Sequence, residues 1–257
     1  MTTTQTIADP VNQVALTEGE IAFYQREGWL RVPGLLSPDN AATLRDDVLS
    51  IMDEIGGWQA AKLRQTPEYL ADSPVDRHVH SNRLAELAQT LLGGPPCLWL
   101  PFTAVKGPQG GRFHFHQDNN YTRVDGPALN IWVALVDMGP ELGTLQLVPQ
   151  SHRTGTRPAQ QLEDGHRAIA IEESDFIPMR LRAGDAVVFS RDTIHGSGPN
   201  TADGPRVAYA VQYGRADARY PDPESGEAVV LGERPKYPHT HRPVDAITPP
   251  TTRTDGH

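Results

Sequence analysis

The triplet His116-Gln117-Asp118, a second histidine at position 195 and an arginine at 206 are the residues whose types and order can do chemistry. Two imidazoles and one carboxylate suit one face of an octahedral Fe(II), leaving three positions for a chelating cosubstrate and dioxygen. On a strand, side chains two apart point the same way, so His116 and Asp118 can reach one ion. His195, far along the chain, then brings in a second, non-adjacent strand. Arg206 adds a rigid fork of donors suited to a dicarboxylate. His-x-Asp alone is a weak signal. Followed by His195 and Arg206, it predicts a non-haem iron site that uses 2-oxoglutarate and O2.

The surroundings of these residues supply further candidates. His116 ends the segment Gly-Arg-Phe-His-Phe and precedes an Asn-Asn-Tyr turn, a strand end from which ligands can face a cavity. His195 follows an apolar strand, 186–190, and a short loop, and stands before the small residues Gly196 and Ser197. A neutral imidazole is the usual ligand form for such a metal. Arg206 opens an alternating strand, 206–213, whose Ala208 and Ala210 share its face and leave room beside it. An arginine turned into a barrel needs an anionic partner, and the distal carboxylate of 2-oxoglutarate would be one. Ser197 is a hydroxyl donor to the same carboxylate or a structural residue. Asn130 donates to the cosubstrate or is an amide at a strand end. His114 contacts substrate, supports a metal ligand from behind, or is a core histidine. Tyr121 hydrogen-bonds the cosubstrate or packs. Gln212, on the Arg206 face, is a candidate substrate contact.

These groups need a frame. Thr17-Glu18-Gly19-Glu20 is a capping box that opens a helix stopped by Gly28, and a short strand at 29–32 follows. Ser37-Pro38 starts a second helix running to about residue 55, and a third covers roughly 82–92. The pattern then changes to short strands at 98–105, 112–117, 129–136, 144–148, 167–172, 178–181, 186–190 and 206–213, separated by Gly, Pro, Asp and Asn clusters. The expected fold is mainly β with an α layer: a double-stranded β-helix, or cupin-like jelly roll, with the N-terminal helices packed on one sheet. One domain spans 1–257, with a loose N-terminus over 1–15 and an irregular tail over 215–257.

Composition narrows the function classes. With 32 acidic against 23 basic residues and a net charge of −9, the chain is a poor candidate for bulk nucleic-acid or anionic-membrane binding. It mildly favours a neutral or cationic small substrate. The single cysteine, Cys97, excludes an internal disulfide and a cysteine-rich zinc site, and suits a reducing cytoplasm. No basic-then-apolar leader opens the chain and no apolar run approaches a membrane span. Oligomeric state is not legible.

The segments FHFHQDNNYTRVDG, ALNIWVALVD, GTLQLVPQSHRTG and GDAVVFSRDTIHGSGPN, with the arginine strand and the opening LTEGEIAFYQREGWLRVPGLLSPDNAATLRDDV, resemble the phytanoyl-CoA dioxygenase family. The resemblance runs from about residue 16 to 214. It implies Fe(II), 2-oxoglutarate and release of succinate and carbon dioxide. By position it implies His116, Asp118 and His195 as iron ligands and Arg206 and Ser197 as contacts of the cosubstrate's distal carboxylate. It likewise places Trp132 at the cosubstrate pocket and Thr103 as a polar cosubstrate contact. Asp118 fills the position that halogenating members leave open, so oxygenation is expected instead. The turn Pro149-Gln150-Ser151-His152 has glutamine where the family usually has glycine, which either alters the turn or puts an amide near the pocket. The expected activity is hydroxylation or oxidative cyclisation of a small polar molecule, in bacterial biosynthesis of a sugar- or aminoglycoside-type antibiotic. An acyl-CoA or compatible-solute hydroxylase is the alternative. A cupin-like isomerase and a non-catalytic ligand-binding barrel are the readings outside this class.

Overall fold

The computed structural model describes residues 8–59 and 63–235. It opens with α1 (Glu18–Glu27), whose capping box is formed between Thr17 and Glu20 and whose C-cap is the left-handed Gly28. β1 (Trp29–Val32) leads to α2 (Pro38–Glu54), capped by Ser37 with proline in the first turn. A short helix absent from the sequence reading follows, α3 (Pro74–Val79), started by the same Ser-Pro device at Ser73. α4 (Asn82–Leu92) ends at the left-handed Gly93. The strands are β2 (Pro96–Lys106), β3 (Phe113–His116), β4 (Ala128–Ala134), β5 (Leu145–Leu147), β6 (Gln160–Gln161), β7 (Arg167–Ala168), β8 (Ile177–Pro178), β9 (Ala186–Ser190), β10 (His195–Ser197), β11 (Arg206–Arg215), β12 (Arg219–Pro221) and β13 (Ala228–Val230).

Two antiparallel sheets face each other, one ordered β1-β9-β4-β11-β2 and the other β3-β10-β5-β8. This is a double-stranded β-helix. Period-two alternation sorts the large sheet into two cores. Leu129, Ile131 and Val133 of β4, and Val207, Tyr209 and Val211 of β11, pack under α2, α3 and α4. Their neighbours Trp132, Ala134, Ala208 and Ala210 turn the other way, toward Leu145 and Leu147 of the small sheet. β4 is buried along its whole length because it is covered on both faces. Each large apolar side chain so enclosed stabilises the fold by about 1.5–3 kcal/mol. The same alternation sends Arg206 and Gln212 into the space between the sheets.

Both chain ends are better organised than the sequence suggests. Within the expected loose N-terminus, Val11 is fully buried and bridges Leu36, and Ser81 donates to Asp9 at 2.6 Å. Residues 1–7 lie outside the described residues. The expected irregular tail begins as a continuation of β11 and then forms the β12–β13 hairpin, with Tyr220 and Leu231 closing over Trp99. The rest of that tail, from 236 on, lies outside the described residues. Strand 167–172 is shorter than expected: only Arg167 and Ala168 pair, and Ile169 and Ile171 pack instead against Phe115.

Candidate active site

β3, the turn after it and β10 bring three side chains to one point. His116, Asp118 and His195 are buried, and one ligand atom from each lies within 4.8 Å of the others. β10 was not expected as a strand, yet it pairs His195 directly with His116. His116 Nδ1 meets the carbonyl of His114 at 2.8 Å, and His195 Nδ1 meets that of Thr193 at 3.0 Å. A carbonyl only accepts, so each Nδ1 carries a hydrogen, and in the neutral ring Nε2 is the nitrogen with the lone pair. His195 Nε2 lies 3.8 Å from Asp118 Oδ1. Burial, reinforced by the His195 ring, pushes His116 down to about pKa 3 against the pull of Asp118, so that imidazole stays neutral. Two imidazoles and one carboxyl group, with ligand atoms converging, fit a divalent ion such as Fe(II).

Behind this point lies a recess of about 60 Å³ lined by Ala104, Asn130, Trp132, Leu145, Ser197 and Arg206. Arg206 is 2% exposed, its guanidinium 5.5 Å from the Trp132 ring centre, and its Nε has no partner. Its other contacts are two long bonds to backbone carbonyls, Gly143 at 3.3 Å and Ala104 at 3.5 Å. Burial pushes its pKa down to about 10. Ser197 Oγ accepts from Lys106 at 2.9 Å, and the same ammonium donates to the Gly198 carbonyl. That arrangement leaves the Ser197 hydroxyl to donate into the recess. Asn130 Oδ1 is also buried without a partner. A buried cation with an idle donor, next to a hydroxyl, fits a carboxylate ligand, whereas the Asn130 oxygen, an acceptor, does not add to that fit.

Two expected contacts are corrected. Thr103 pairs with Tyr209 on the helix-side face of the large sheet, and its hydroxyl accepts from the Thr66 N–H at 3.0 Å. Alternation therefore turns it away from the recess, which takes Phe102 and Ala104 instead. His114 does not share the His116 face, so it is no substrate contact there, but its carbonyl backs the His116 ring at 2.8 Å. β10 pairs His195 with His116 but Ser197 with Phe113, so β3 carries a bulge that brings Phe113, not His114, to the cavity beside His116. The Gln150 question also resolves: the residue adopts the left-handed conformation glycine would take, at φ 60°, and its amide reaches Glu27 at 3.5 Å, away from the cavity.

In front of His116 and Asp118 opens a chamber of about 330 Å³. Trp99, Phe102, Phe113 and Tyr121 form its aromatic walls, and His166 and Gln65 its polar ones. Tyr121 is 44% exposed; its ring meets His116 edge-on at 5.4 Å and its hydroxyl lies 3.4 Å from His166 Nδ1. Gln212 lines the chamber but spends its amide on protein, donating to Asp118 Oδ2 at 3.0 Å. Sequence reasoning missed Phe113, His166, Lys106 and Arg191. Only Arg191, a charged residue at the end of the apolar strand leading to His195, carried a visible signal. It also missed Gln117, whose amide bonds the carbonyls of Gly155 and Asp192 and the N–H of Arg157, tying the loops on either side of the triad together.

A double-stranded β-helix with a His/Asp/His cluster at its mouth and an unpaired arginine behind it defines the class of metal-dependent, 2-oxoglutarate-using oxygenases. A family model for Phytanoyl-CoA dioxygenase (PhyH) matches residues 24–208, and the chain belongs to that family. Its relatives include a methylphosphonate hydroxylase of Gimesia maris, 25% identical over 77% of this chain and 80% of that one. An ectoine dioxygenase of Bordetella parapertussis is 27% identical over 91% of this chain and 86% of that one. Among solved structures, EvdO2 from Micromonospora carbonacea bound to 2-oxoglutarate superposes with a TM-score of 0.69, at 20% identity over 84% of this chain and 97% of that one. The non-haem α-ketoglutarate-dependent epimerase SnoN from nogalamycin biosynthesis gives 0.66, at 25% identity over 82% and 91%. The chain is an Fe(II)/2-oxoglutarate-dependent dioxygenase, with iron, 2-oxoglutarate and O2 as its cofactor, cosubstrate and oxidant.

Proposed function

We propose that this enzyme oxidises a C–H bond of a small, neutral, ring-based polar molecule of bacterial natural-product biosynthesis, by hydroxylation or ring closure. The carrying observation is the chamber in front of the triad. Its volume of about 330 Å³ suits one small molecule, and its flat aromatic walls offer faces for a sugar or polycyclic ring. Among the described residues Asp118 is the one acid in its lining, and that carboxylate faces the metal position. An aminated substrate would find no counter-charge there, which favours a neutral molecule over the cationic one that net charge allows. The cation in the described lining, Arg191, is engaged by Gln212, Asn119 and two backbone carbonyls, so among the described residues a coenzyme A phosphate would find no free basic partner. SnoN, which acts in nogalamycin biosynthesis, supports the natural-product reading, and the ectoine dioxygenases support a compatible solute as the second reading.

In this reading His116, Asp118 and His195 hold iron, Arg206 and Ser197 take the distal carboxylate of 2-oxoglutarate, and Trp132 and Asn130 wall its site. The iron and 2-oxoglutarate, when bound, supply the oxidising chemistry, with succinate and carbon dioxide as co-products. The chain's own residues orient the substrate ring against the aromatic walls and keep water from the reacting carbon. Anaerobic titration with Fe(II) and 2-oxoglutarate is expected to raise a weak visible charge-transfer band, absent in Asp118→Ala. Neutral glycosidic or polycyclic compounds are then expected to stimulate succinate release. Stimulation by acyl-CoA or by a polyamine antibiotic alone would refute the substrate class, and an Asp118→Ala protein with the band intact would refute the metal assignment.

A further inference from the structure

Asp118 presents its two oxygens to different surroundings. Oδ1 faces His195 Nε2 at 3.8 Å, whereas Oδ2 accepts from Gln212 Nε2 at 3.0 Å. The other end of the Gln212 amide, Oε1, accepts from Arg191 Nη1. Arg191 is 3% exposed and lies 5.3 Å from the Trp99 ring centre. Its Nη2 donates to the carbonyls of Asp118 at 3.1 Å and Thr122 at 2.9 Å, and its Nε to Asn119 Oδ1 at 3.2 Å. Asn119 in turn donates to Asp192 at 2.8 Å. The guanidinium therefore grips the turn that carries Asp118 from three sides.

A guanidinium has donors only, so the end of the Gln212 amide that meets Arg191 must be the oxygen. The NH2 end is then forced toward Asp118. The orientation of this amide is thus set by charge. A carboxylate with one oxygen tied back in this way presents the other to a metal, which favours one-oxygen ligation over chelation.

We infer that Gln212 and Arg191 are positioning residues that hold Asp118 as a one-oxygen metal ligand, Arg191 fixing the Gln212 amide and Gln212 fixing the carboxylate. The inference rests on the proposed metal centre. Hydrogen-bond partners that orient a metal ligand typically account for ~10–100-fold in metal affinity. β11 supplies Gln212 beside Ala210 and Arg206 on the inward face, so one strand serves both the metal's carboxylate and the cosubstrate's.

The test is a titration of the metal-free chain with Co(II) alone, read by the visible ligand-field bands and by competition with a chelator. Gln212→Glu keeps the shape and the Arg191 contact but replaces the donor with a charge facing Asp118. It is expected to weaken Co(II) binding by ~10–100-fold and to alter the band pattern, while thermal unfolding of the metal-free protein stays near wild type. Gln212→Leu is expected to weaken binding as well, and Arg191→Lys, which keeps charge but loses the fork, to fall between. Wild-type affinity and bands in both Gln212 variants would overturn the inference and leave the metal centre standing. A wild-type chain that binds no Co(II), or binds it equally well as Asp118→Ala, would overturn the metal centre and the inference together. If Gln212→Leu fails to fold, Gln212→Glu and Arg191→Lys decide the matter.

Discussion

Arg206 is a charge enclosed without a counter-charge among the described residues, and enclosing one ion this way costs several kcal/mol unless a ligand compensates. Its stacking on Trp132 and two long carbonyl contacts offset part of that. Arg206→Lys retains the charge but loses the planar fork and the stacking. Losing one charge-assisted bond costs about 1.5–3 kcal/mol, so the apparent Kd for 2-oxoglutarate is expected to rise ~10–100-fold. Titration of the charge-transfer band at saturating iron measures this, and an unchanged Kd would show that the carboxylate sits elsewhere. Arg206 was readable in the sequence because its strand alternates cleanly with Ala208 and Ala210. Thr103 was not: its end of the strand, 103–106, is buried on both faces, so apolar pattern does not say which side of the sheet a residue takes.

The site depends on a register fault. β3 advances one residue farther than β10 between their paired ends, and that bulge swaps His114 for Phe113 on the cavity face. No turn residue or period break in Phe113-His114-Phe115-His116 announces it, since a regular strand of the same sequence would alternate equally well. Gly196 permits the fault. A Cβ there would sit 3.0 Å from the Phe113 carbonyl oxygen, 3.1 Å from the Phe115 ring and 3.2 Å from the Phe115 nitrogen. Backbone atoms on the partner strand cannot swing aside, so Gly196→Ala is expected to cost about 1–3 kcal/mol. Chemical denaturation of the metal-free protein would show this, with Co(II) affinity falling in parallel; wild-type values in both would mean the strands have room to spare. The helices, by contrast, were legible from capping chemistry, and α3 was overlooked although Ser73-Pro74 repeats the signal of Ser37-Pro38.

The whole molecule carries a titratable group far from the metal position. His78 of α3 is 1% exposed, both its ring nitrogens lack partners, and its ring meets Tyr209 edge-on at 5.8 Å. Burial pushes it from 6.5 down to about 4, against a weaker opposing pull from Asp9. The native state keeps this histidine neutral while the unfolded chain protonates it. The contribution is therefore whole above about pH 6.5 and drains away as pH falls toward about 4. The loss is roughly 3 kcal/mol over that window. His78→Phe is expected to flatten that part of the decline relative to wild type, measured by denaturation midpoints at neutral and mildly acidic pH; parallel curves would rule the histidine out. One architectural consequence extends past stability. His116 and His195 sit on strands locked between two cores, whereas His166, which lines the outer chamber with Tyr121, rides on a short hairpin paired at Gln160–Ala168 and Gln161–Arg167 and closed by the Leu162 N–H on the His166 carbonyl at 2.8 Å. Rewriting residues 160–168 disturbs little of the core. The frame thus separates the residues that would hold the metal from those that shape the rim, so a change at the rim need not disturb the strands on which the fold depends.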